Sequence, residues 1–319
     1  MVDIETFAYR FLVVVGAVMC LFGTIGNLLN IYIFFKWSKS HNQRTSNSPV
    51  YLLICSIANL FVIIYPFVTR LIIDQENFQI QTNQIFLLCK FRYYCLHTFD
   101  LISLTCLCMA TIDRYLISSR EVRLRQLSTT RRGTKLIILF IICIHSLHSI
   151  PIAIFYNISP TGKCAIQSLV YHYYYLYVFQ ICLHSLLPII CLTIFGYFIF
   201  RQLKNLRIRM NRNSNIDQQM NRMLLLMSSA VILSAIPYSI EQLYYVIMYQ
   251  NDEEFSPGFY LFHVIASLLF YTNPVSSFYI YYISTTNFRI HVRRLFQCKQ
   301  IALHPDENQR IHTIQTRSK

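Results

Sequence analysis

The fold is decided by stretches such as residues 11–35, FLVVVGAVMCLFGTIGNLLNIYIFF, which contain no charged side chain. An α-helix rises about 1.5 Å per residue, so roughly 20 apolar residues cross a hydrocarbon core about 30 Å thick. This stretch therefore predicts a membrane-spanning helix. It is too long for the apolar part of a cleavable signal peptide and no small-residue cleavage site is apparent, so we expect a signal anchor.

Six further apolar blocks follow, and charged or Pro-, Asn- and Ser-rich connectors separate them. Only 13% of the 319 residues are charged, against about 25% in soluble domains. The third and sixth blocks carry one acid each, Asp100 and Glu241. We predict an all-α membrane protein, a seven-transmembrane helix bundle. Its seven blocks are 11–35, 48–69, 93–112, 136–156, 173–200, 223–249 and 259–286.

The basic residues predict the orientation of the bundle, because cytoplasmic loops carry an excess of Lys and Arg. One alternate set of connectors, 36–47, 113–135, 201–222 and 287–319, holds 23 of the 28 Lys and Arg. The N-terminus is therefore expected outside the cell. The net charge of +14 then reflects topology and attraction to anionic membrane lipid. Nucleic-acid binding is not expected, since the basic residues are divided among four short segments.

Four regions are expected along the chain: an extracellular tail (1–10), the bundle (11–286), an amphipathic interfacial helix (287–298) and a cytoplasmic tail (299–319). In the interfacial helix, Phe288 and Val292 share a face opposite Arg289 and Arg293. Cys298, just after it, is a candidate palmitoylation site.

Two cysteines outside the blocks lie on the predicted outer side, Cys89 before the third block and Cys164 between the fourth and fifth. An oxidising compartment favours a disulfide between them, which would tether the outer loop over the bundle. The alternative is two unpaired thiols. Asn157-Ile158-Ser159 in the same loop is a possible glycosylation sequon.

The inner end of the third block carries Asp113-Arg114-Tyr115, with Arg114 placed 25 residues after Cys89. Twenty-five helical residues rise about 37 Å, so one helix places the cysteine and the arginine in opposite headgroup layers. By this combination of motif, side and span number the chain resembles rhodopsin-like G-protein-coupled receptors over nearly its whole length. The resemblance implies a plasma-membrane receptor that signals to a heterotrimeric G protein.

The resemblance also assigns roles to residues within the spans. It implies an intramembrane polar network and helix bends at Pro188 and Pro237. Ala235 stands where the family usually has a tryptophan, and the only tryptophan, Trp37, is expected in the first inner loop. An Asn in the usual Asp position of the second span argues against sodium regulation. The network residues are Asn27, Asn59, Ser103, Asn273 and Ser277.

The seventh span admits two registers of the family's N-P-x-x-Y motif. Asn273-Pro274 supplies the Asn and Pro but places Ser277 at the Tyr position. A shift of four residues places Ser277 at the start and Tyr281 at the switch tyrosine. We prefer the shifted register, because the distance from Pro274 to Phe288-Arg289 is one turn too long for the family.

Arg114 is predicted to act as a two-position latch. An arginine at the membrane boundary needs water or a partner, and Asp113 can provide one in the resting state. If the sixth helix moves away, Arg114 becomes available to a docking protein. The alternative is that Asp113 and Arg114 only anchor the helix at the interface.

A ligand pocket is predicted between the outer halves of the helices, where buried polar residues are costly. For each of them an interhelical hydrogen bond is the alternative role, and a ligand cation is considered for Glu241. Five tyrosines between 171 and 177 indicate an aromatic belt at the outer interface. The candidates are His97, Asp100, Gln180, His184, Tyr238, Glu241, Gln242 and His263.

The function predicted from these features is a receptor for an extracellular ligand, with no cofactor, no metal and no enzymatic activity. Retinal is excluded because residues 259–286 contain no lysine, and Leu96 replaces the aspartate of amine receptors. The segment 217–224 with Ala235-Ile236-Pro237 resembles invertebrate peptide receptors near the FMRFamide group. A small-molecule chemosensory receptor of the same fold is the alternative, and a transporter or channel is disfavoured because no repeat or broken helix is visible.

Overall fold

A computed structural model describes residues 2–39, 47–73, 84–119, 121–158, 164–206, 214–250 and 257–303. Within these ranges seven helices are long and apolar enough to cross a membrane. Each overlaps one predicted block, which confirms the seven-helix bundle. The spans are Thr6–Lys39, Ser48–Ile73, Ile85–Ser118, Arg131–Phe155, Leu169–Gln202, Gln218–Tyr244 and Gly258–Ser284.

The first span belongs to one helix, Val2–Lys39, which includes most of the predicted extracellular tail. Trp37 lies inside this helix and is 4% exposed, so its placement in a loop was wrong. The helix packs closely on the seventh span: a Cβ at Gly26 would lie 2.9 Å from the Cβ of Phe278. Small residues permit such close helix packing in membranes, where van der Waals contact and hydrogen bonds drive association.

The second and third spans each contain wide, π-helical turns toward their outer ends. The second comprises Ser48–Val62, the wide turn Ile63–Phe67 around Pro66, and Val68–Ile73. The third comprises Ile85–Phe91 and Arg92–Ser118. The third span is the most buried of the seven, because 72% of its most apolar segment is buried inside the protein. It therefore forms the centre of the bundle. A short helix, Val122–Gln126, follows it.

The fourth span consists of Arg131–His148 and Ile150–Phe155. A small antiparallel hairpin follows, β1 (Tyr156–Ile158) with β2 (Cys164–Ile166), in the register Asn157↔Ala165. The hairpin was not predicted. Cys89 and Cys164 form the predicted disulfide, with Cα atoms 5.7 Å apart, which fixes β2 to the outer end of the third span.

The fifth span comprises Leu169–Tyr174, the wide-turned segment Tyr175–Leu186 and Leu187–Leu206. The wide turns end just before Pro188, which cannot donate a backbone hydrogen bond. The sixth helix, Ser214–Gln250, continues through Pro237, and the seventh, Pro257–Ser284, continues through Pro274. Exposed leucines and valines such as Val14, Leu139 and Leu233 cover the outside of the bundle, as a lipid-facing surface requires.

The last helix, Thr286–Leu303, extends beyond the predicted end at residue 298. Phe288 is fully buried and Val292 is 5% exposed, so this part of the predicted membrane-facing side packs on the bundle. The ring of Phe288 lies 5.9 Å from Trp37 and 6.0 Å from Phe34. Arg293 and Arg294 are exposed on the other side. The bundle core, and not only lipid, therefore anchors this helix.

Candidate functional site

A cavity of about 470 Å³ opens between the outer halves of the spans, beneath the hairpin. The second, third, fifth, sixth and seventh spans contribute side chains to it. Six of the eight predicted pocket residues line it: His97, Gln180, Tyr238, Glu241, Gln242 and His263. The volume is in the usual range of small-molecule and peptide-anchor sites.

The other two predicted residues, Asp100 and His184, do not line the cavity and belong to a buried polar chain connected to it. The carboxylate Oδ2 of Asp100 lies 2.8 Å from His184 Nδ1, and His184 Nε2 lies 3.1 Å from His97 Nδ1. His97 Nε2 is 2.7 Å from the hydroxyl of Tyr175. This series of hydrogen-bonded side chains therefore links the third span to the fifth.

The polar chain continues to the sixth span through Gln180. Its amide Nε2 donates to the Tyr175 hydroxyl at 2.6 Å, and its Oε1 accepts from the Tyr238 hydroxyl at 3.1 Å. Most of these side chains are buried, and each hydrogen bond offsets the cost of removing a polar group from water. The alternative role considered for these residues, interhelical hydrogen bonding, is what the structure shows for this set.

Glu241 is fully buried and has partners on both carboxylate oxygens. Oε1 lies 2.9 Å from Nδ1 of His263 on the seventh span, and Oε2 accepts from Gln242 at 2.7 Å. The second ring nitrogen of His263 lies 3.4 Å from a guanidinium nitrogen of Arg70. Glu241, which was expected to seek a cation in a ligand, thus has hydrogen-bonding partners inside the protein.

The cavity residues that sequence reasoning missed include Arg70, Arg92, Tyr175 and the hairpin residues 164–166. Both arginines were counted only as outer-loop charges, and Tyr175 only as part of the aromatic belt. Arg92 could have been noticed from its position, since it follows Cys89 by three residues on the central span. The hairpin had no signal besides the cysteine.

Aromatic rings form much of the cavity wall. Tyr93 stacks on Tyr156 with centroids 4.2 Å apart, and Tyr238 lies 4.6 Å from Phe270. Tyr156 follows the fourth span, and burial raises the pKa of its hydroxyl well above the ordinary value. Its hydroxyl therefore stays protonated, and the wall offers neutral donors and ring faces to a ligand.

At the inner end, Asp113 binds the start of the second span. Its Oδ2 accepts from the Ser48 hydroxyl at 2.8 Å and from the Asn47 backbone N–H at 3.1 Å. A carboxylate is favourable there because the first N–H groups of a helix lack intrahelical partners. Asp113 thus has partners on the second span that the latch hypothesis did not include.

Arg114 and Tyr115 face different surroundings. Arg114 is 3% exposed. The ring of Tyr115 lies 5.2 Å from Phe198 and 5.6 Å from Phe195 on the fifth span. Tyr115 therefore packs the third span onto the fifth.

The sixth span closes the inner end. Asn221 Nδ2 donates to Oγ of Ser118, one turn beyond Arg114, at 3.1 Å. Met223 and Leu224 next to Asn221 are fully buried. The structure therefore shows the sixth span packed against the inner end of the third.

The predicted polar network consists of two groups in the part of the chain that the structure describes. Asn27 Nδ2 donates to the carbonyl of Pro274 at 2.8 Å, and Asn30, which was not predicted, donates to the Ser277 hydroxyl at 3.1 Å. Separately, the Ser103 hydroxyl donates to Asn59 Oδ1 at 2.5 Å. The first group joins spans one and seven, and the second joins spans two and three.

Asn273 and Tyr281, also predicted, are both buried. Oδ1 of Asn273 has no hydrogen-bond partner among the described residues. The ring of Tyr281 lies 5.4 Å from Phe34 and 6.0 Å from Phe288, in the aromatic cluster beneath the last helix. The choice between the two registers stays a prediction.

The two modification sites also stay predictions. Asn157 lies in β1, where its Oδ1 accepts from the Ile158 N–H at 3.0 Å. Ser159 of the sequon lies outside the described residues, as does the side chain of Cys298. Across the described ranges, His, Cys, Asp and Glu form no group of three that could hold a metal ion.

Comparison with known proteins gives two findings. A family model described as "7 transmembrane receptor (rhodopsin family)" matches residues 26–281. Neuromedin-U receptor 2 of Mus musculus is 20% identical over 302 residues, which cover 88% of this chain and 74% of that receptor. Neuromedin-U receptor 2 of Homo sapiens is 21% identical over 287 residues, which cover 84% of this chain and 67% of that receptor.

Proposed function

The chain belongs to the rhodopsin family of seven-transmembrane receptors, and from this we propose that it transmits the binding of an extracellular peptide to a heterotrimeric G protein. It is a multi-pass membrane protein and a signalling receptor, not an enzyme. The similarity to neuromedin-U receptors supports a peptide ligand. The finer placement near invertebrate FMRFamide receptors rests only on residues 217–224 and 235–237.

The outer cavity is the proposed peptide site. It is bounded by aromatic rings and polar side chains of five spans and by a disulfide-tethered hairpin. This combination of apolar surface and a few placed polar groups is typical of ligand sites. One end or one turn of a peptide fits a volume of about 470 Å³.

The inner end of the bundle is the proposed G-protein site. In this proposal the receptor lies in the plasma membrane with its N-terminus outside the cell. The observation that carries the mechanism is a buried Arg114, next to a sixth span that a hydrogen bond ties to Ser118. Movement of the sixth span would expose Arg114 to the G protein, because its inner segment covers the turn beyond the arginine. Ligand binding shifts this equilibrium only if the ligand binds the open arrangement more tightly.

The test is replacement of the arginine. Arg114→Ala is expected to abolish ligand-driven and basal G-protein activation while the receptor still reaches the cell surface. Surface staining and a nucleotide-exchange assay on membranes measure the two quantities separately. Arg132→Ala, which removes an exposed inner charge, is the control and should retain activation. Normal signalling by Arg114→Ala would refute the latch.

A further inference from the structure

Arg92 occupies a buried position at the mouth of the central span. It begins the α-helical part of that span, Arg92–Ser118, one turn beyond the disulfide-bonded Cys89. The side chain is 6% exposed and lines the cavity. Its guanidinium therefore lies where a ligand would enter, beneath the hairpin.

The described residues provide few partners for the buried positive charge of this guanidinium. Its central carbon lies 4.6 Å from the ring centroid of Tyr93, and Nε has no hydrogen-bond partner among them. No carboxylate in the described ranges forms an ion pair with it. Glu241, the one acid among the described lining residues, is bound by His263 and Gln242, and the deeper Asp100 is bound by His184.

A buried cation is stable only with water or an anion beside it, because removing its charge from bulk water is costly. A guanidinium also presents a planar set of donors that matches the two oxygens of a carboxylate. The electrostatic surroundings therefore favour an anionic group at this point.

We propose that Arg92 binds a carboxylate of the ligand, either the C-terminus of a peptide or an Asp or Glu side chain. This rests on the proposed function in one respect, that the ligand is a peptide entering this cavity. The guanidinium lies over the Tyr93 ring, and the Arg92 side chain lines the cavity. The chemistry recognised is a carboxylate beside an aromatic or apolar group, because aromatic rings form much of the wall.

The experiment uses the purified full-length receptor in detergent and two probes of similar shape, one with a charged carboxylate and one with a neutral amide in its place. The probes are N-acetyl-phenylalanine, which has a free carboxylate, and N-acetyl-phenylalanine amide. At ten times its Kd, the acid should raise the thermal unfolding midpoint by about 3 °C, because it binds the folded state only. The amide should bind at least about tenfold more weakly, since it lacks the charged hydrogen-bond acceptor.

Variants assign the effect to the residue. Arg92→Gln should remove the difference between acid and amide, and Arg92→Lys should retain part of it, since lysine keeps the charge but loses the planar fork. Arg10→Gln removes an exposed charge at the outer end of the first span and should behave as the wild type. If Arg92→Gln does not fold, the wild type and Arg92→Lys still decide the question.

Equal stabilisation by acid and amide, no stabilisation by the acid, or an unchanged preference in Arg92→Gln would each overturn the proposal. Unfolding requires neither the natural ligand nor a G protein. A failure of the proposed signalling function, seen in nucleotide exchange, is therefore distinguishable from a failure of the carboxylate site.

Discussion

At the residue scale, the outer half of the bundle depends on buried polar side chains that complete one another. Asp100, His184, His97, Tyr175 and Gln180 form a continuous chain of contacts of 2.6–3.1 Å across two spans. Tyr175 is the middle of this chain, because its hydroxyl contacts both His97 and Gln180. A single hydroxyl there provides the partner of His97 Nε2 and of the Gln180 amide nitrogen.

Tyr175→Phe is accordingly expected to destabilise the receptor by about 1 to 2 kcal/mol, since interhelical hydrogen bonds in membranes contribute up to about 1.7 kcal/mol each. Thermal unfolding of the purified receptor measures the loss. Tyr197→Phe is the control: the Tyr197 ring is 59% exposed, so the variant should unfold like the wild type. Equal unfolding midpoints for the two variants would contradict a structural role for this series of hydrogen-bonded side chains.

Residue identities predicted these sites only in part, for a physical reason. A polar side chain in an apolar block must find a partner or a ligand, so His97, Asp100 and Glu241 could be selected from the sequence. Their partners lie on other spans, and the choice of partner depends on how the helices rotate and pack. His263 as the partner of Glu241 therefore appeared only in three dimensions.

At the element scale, the spans were predictable because each apolar block alone satisfies the length and composition of a membrane helix. The wide turns at Ile63–Phe67 and Tyr175–Leu186 and the hairpin were not, because packing and the disulfide determine them. The same holds for the last helix, whose apolar residues Phe288 and Val292 meet the first span rather than lipid alone. The sixth helix is the element on which signalling is proposed to depend.

Loosening the sixth helix should raise basal signalling. Asn221→Ala removes the hydrogen bond to Ser118 that ties the sixth span to the third. Such bonds average about 0.6 kcal/mol in membranes, so the ratio of closed to open receptor should fall about two- to threefold. Basal G-protein activation should rise by about the same factor. Ser229→Ala is the matched control, because Ser229 is exposed and its hydroxyl donates to the carbonyl of Leu225 on its own helix. If basal activity in Asn221→Ala is no higher than in this control, the hydrogen bond between Asn221 and Ser118 does not hold the closed arrangement.

At the scale of the whole molecule, the proposed peptide site and the proposed G-protein site must lie on opposite sides of the membrane. The third span connects them, from Arg92 at the cavity to Arg114 at the inner end. The disulfide then lies in an oxidising compartment and the basic connectors in the cytoplasm, as the charge distribution predicts. The proposed sites and the disulfide thus predict one orientation of the bundle, with the N-terminus outside the cell.

That orientation predicts which terminus an antibody reaches. A tag fused before Met1 should bind antibody on intact cells, and a tag fused after Lys319 should bind only after permeabilisation, because seven crossings separate the ends. A third tag inserted within 40–46, between the first two spans, serves as an internal control and should behave like the C-terminal tag. Access to both terminal tags on intact cells, or to neither, would mean an even number of crossings. The reverse pattern would place Arg114 outside the cell and exclude G-protein coupling through it.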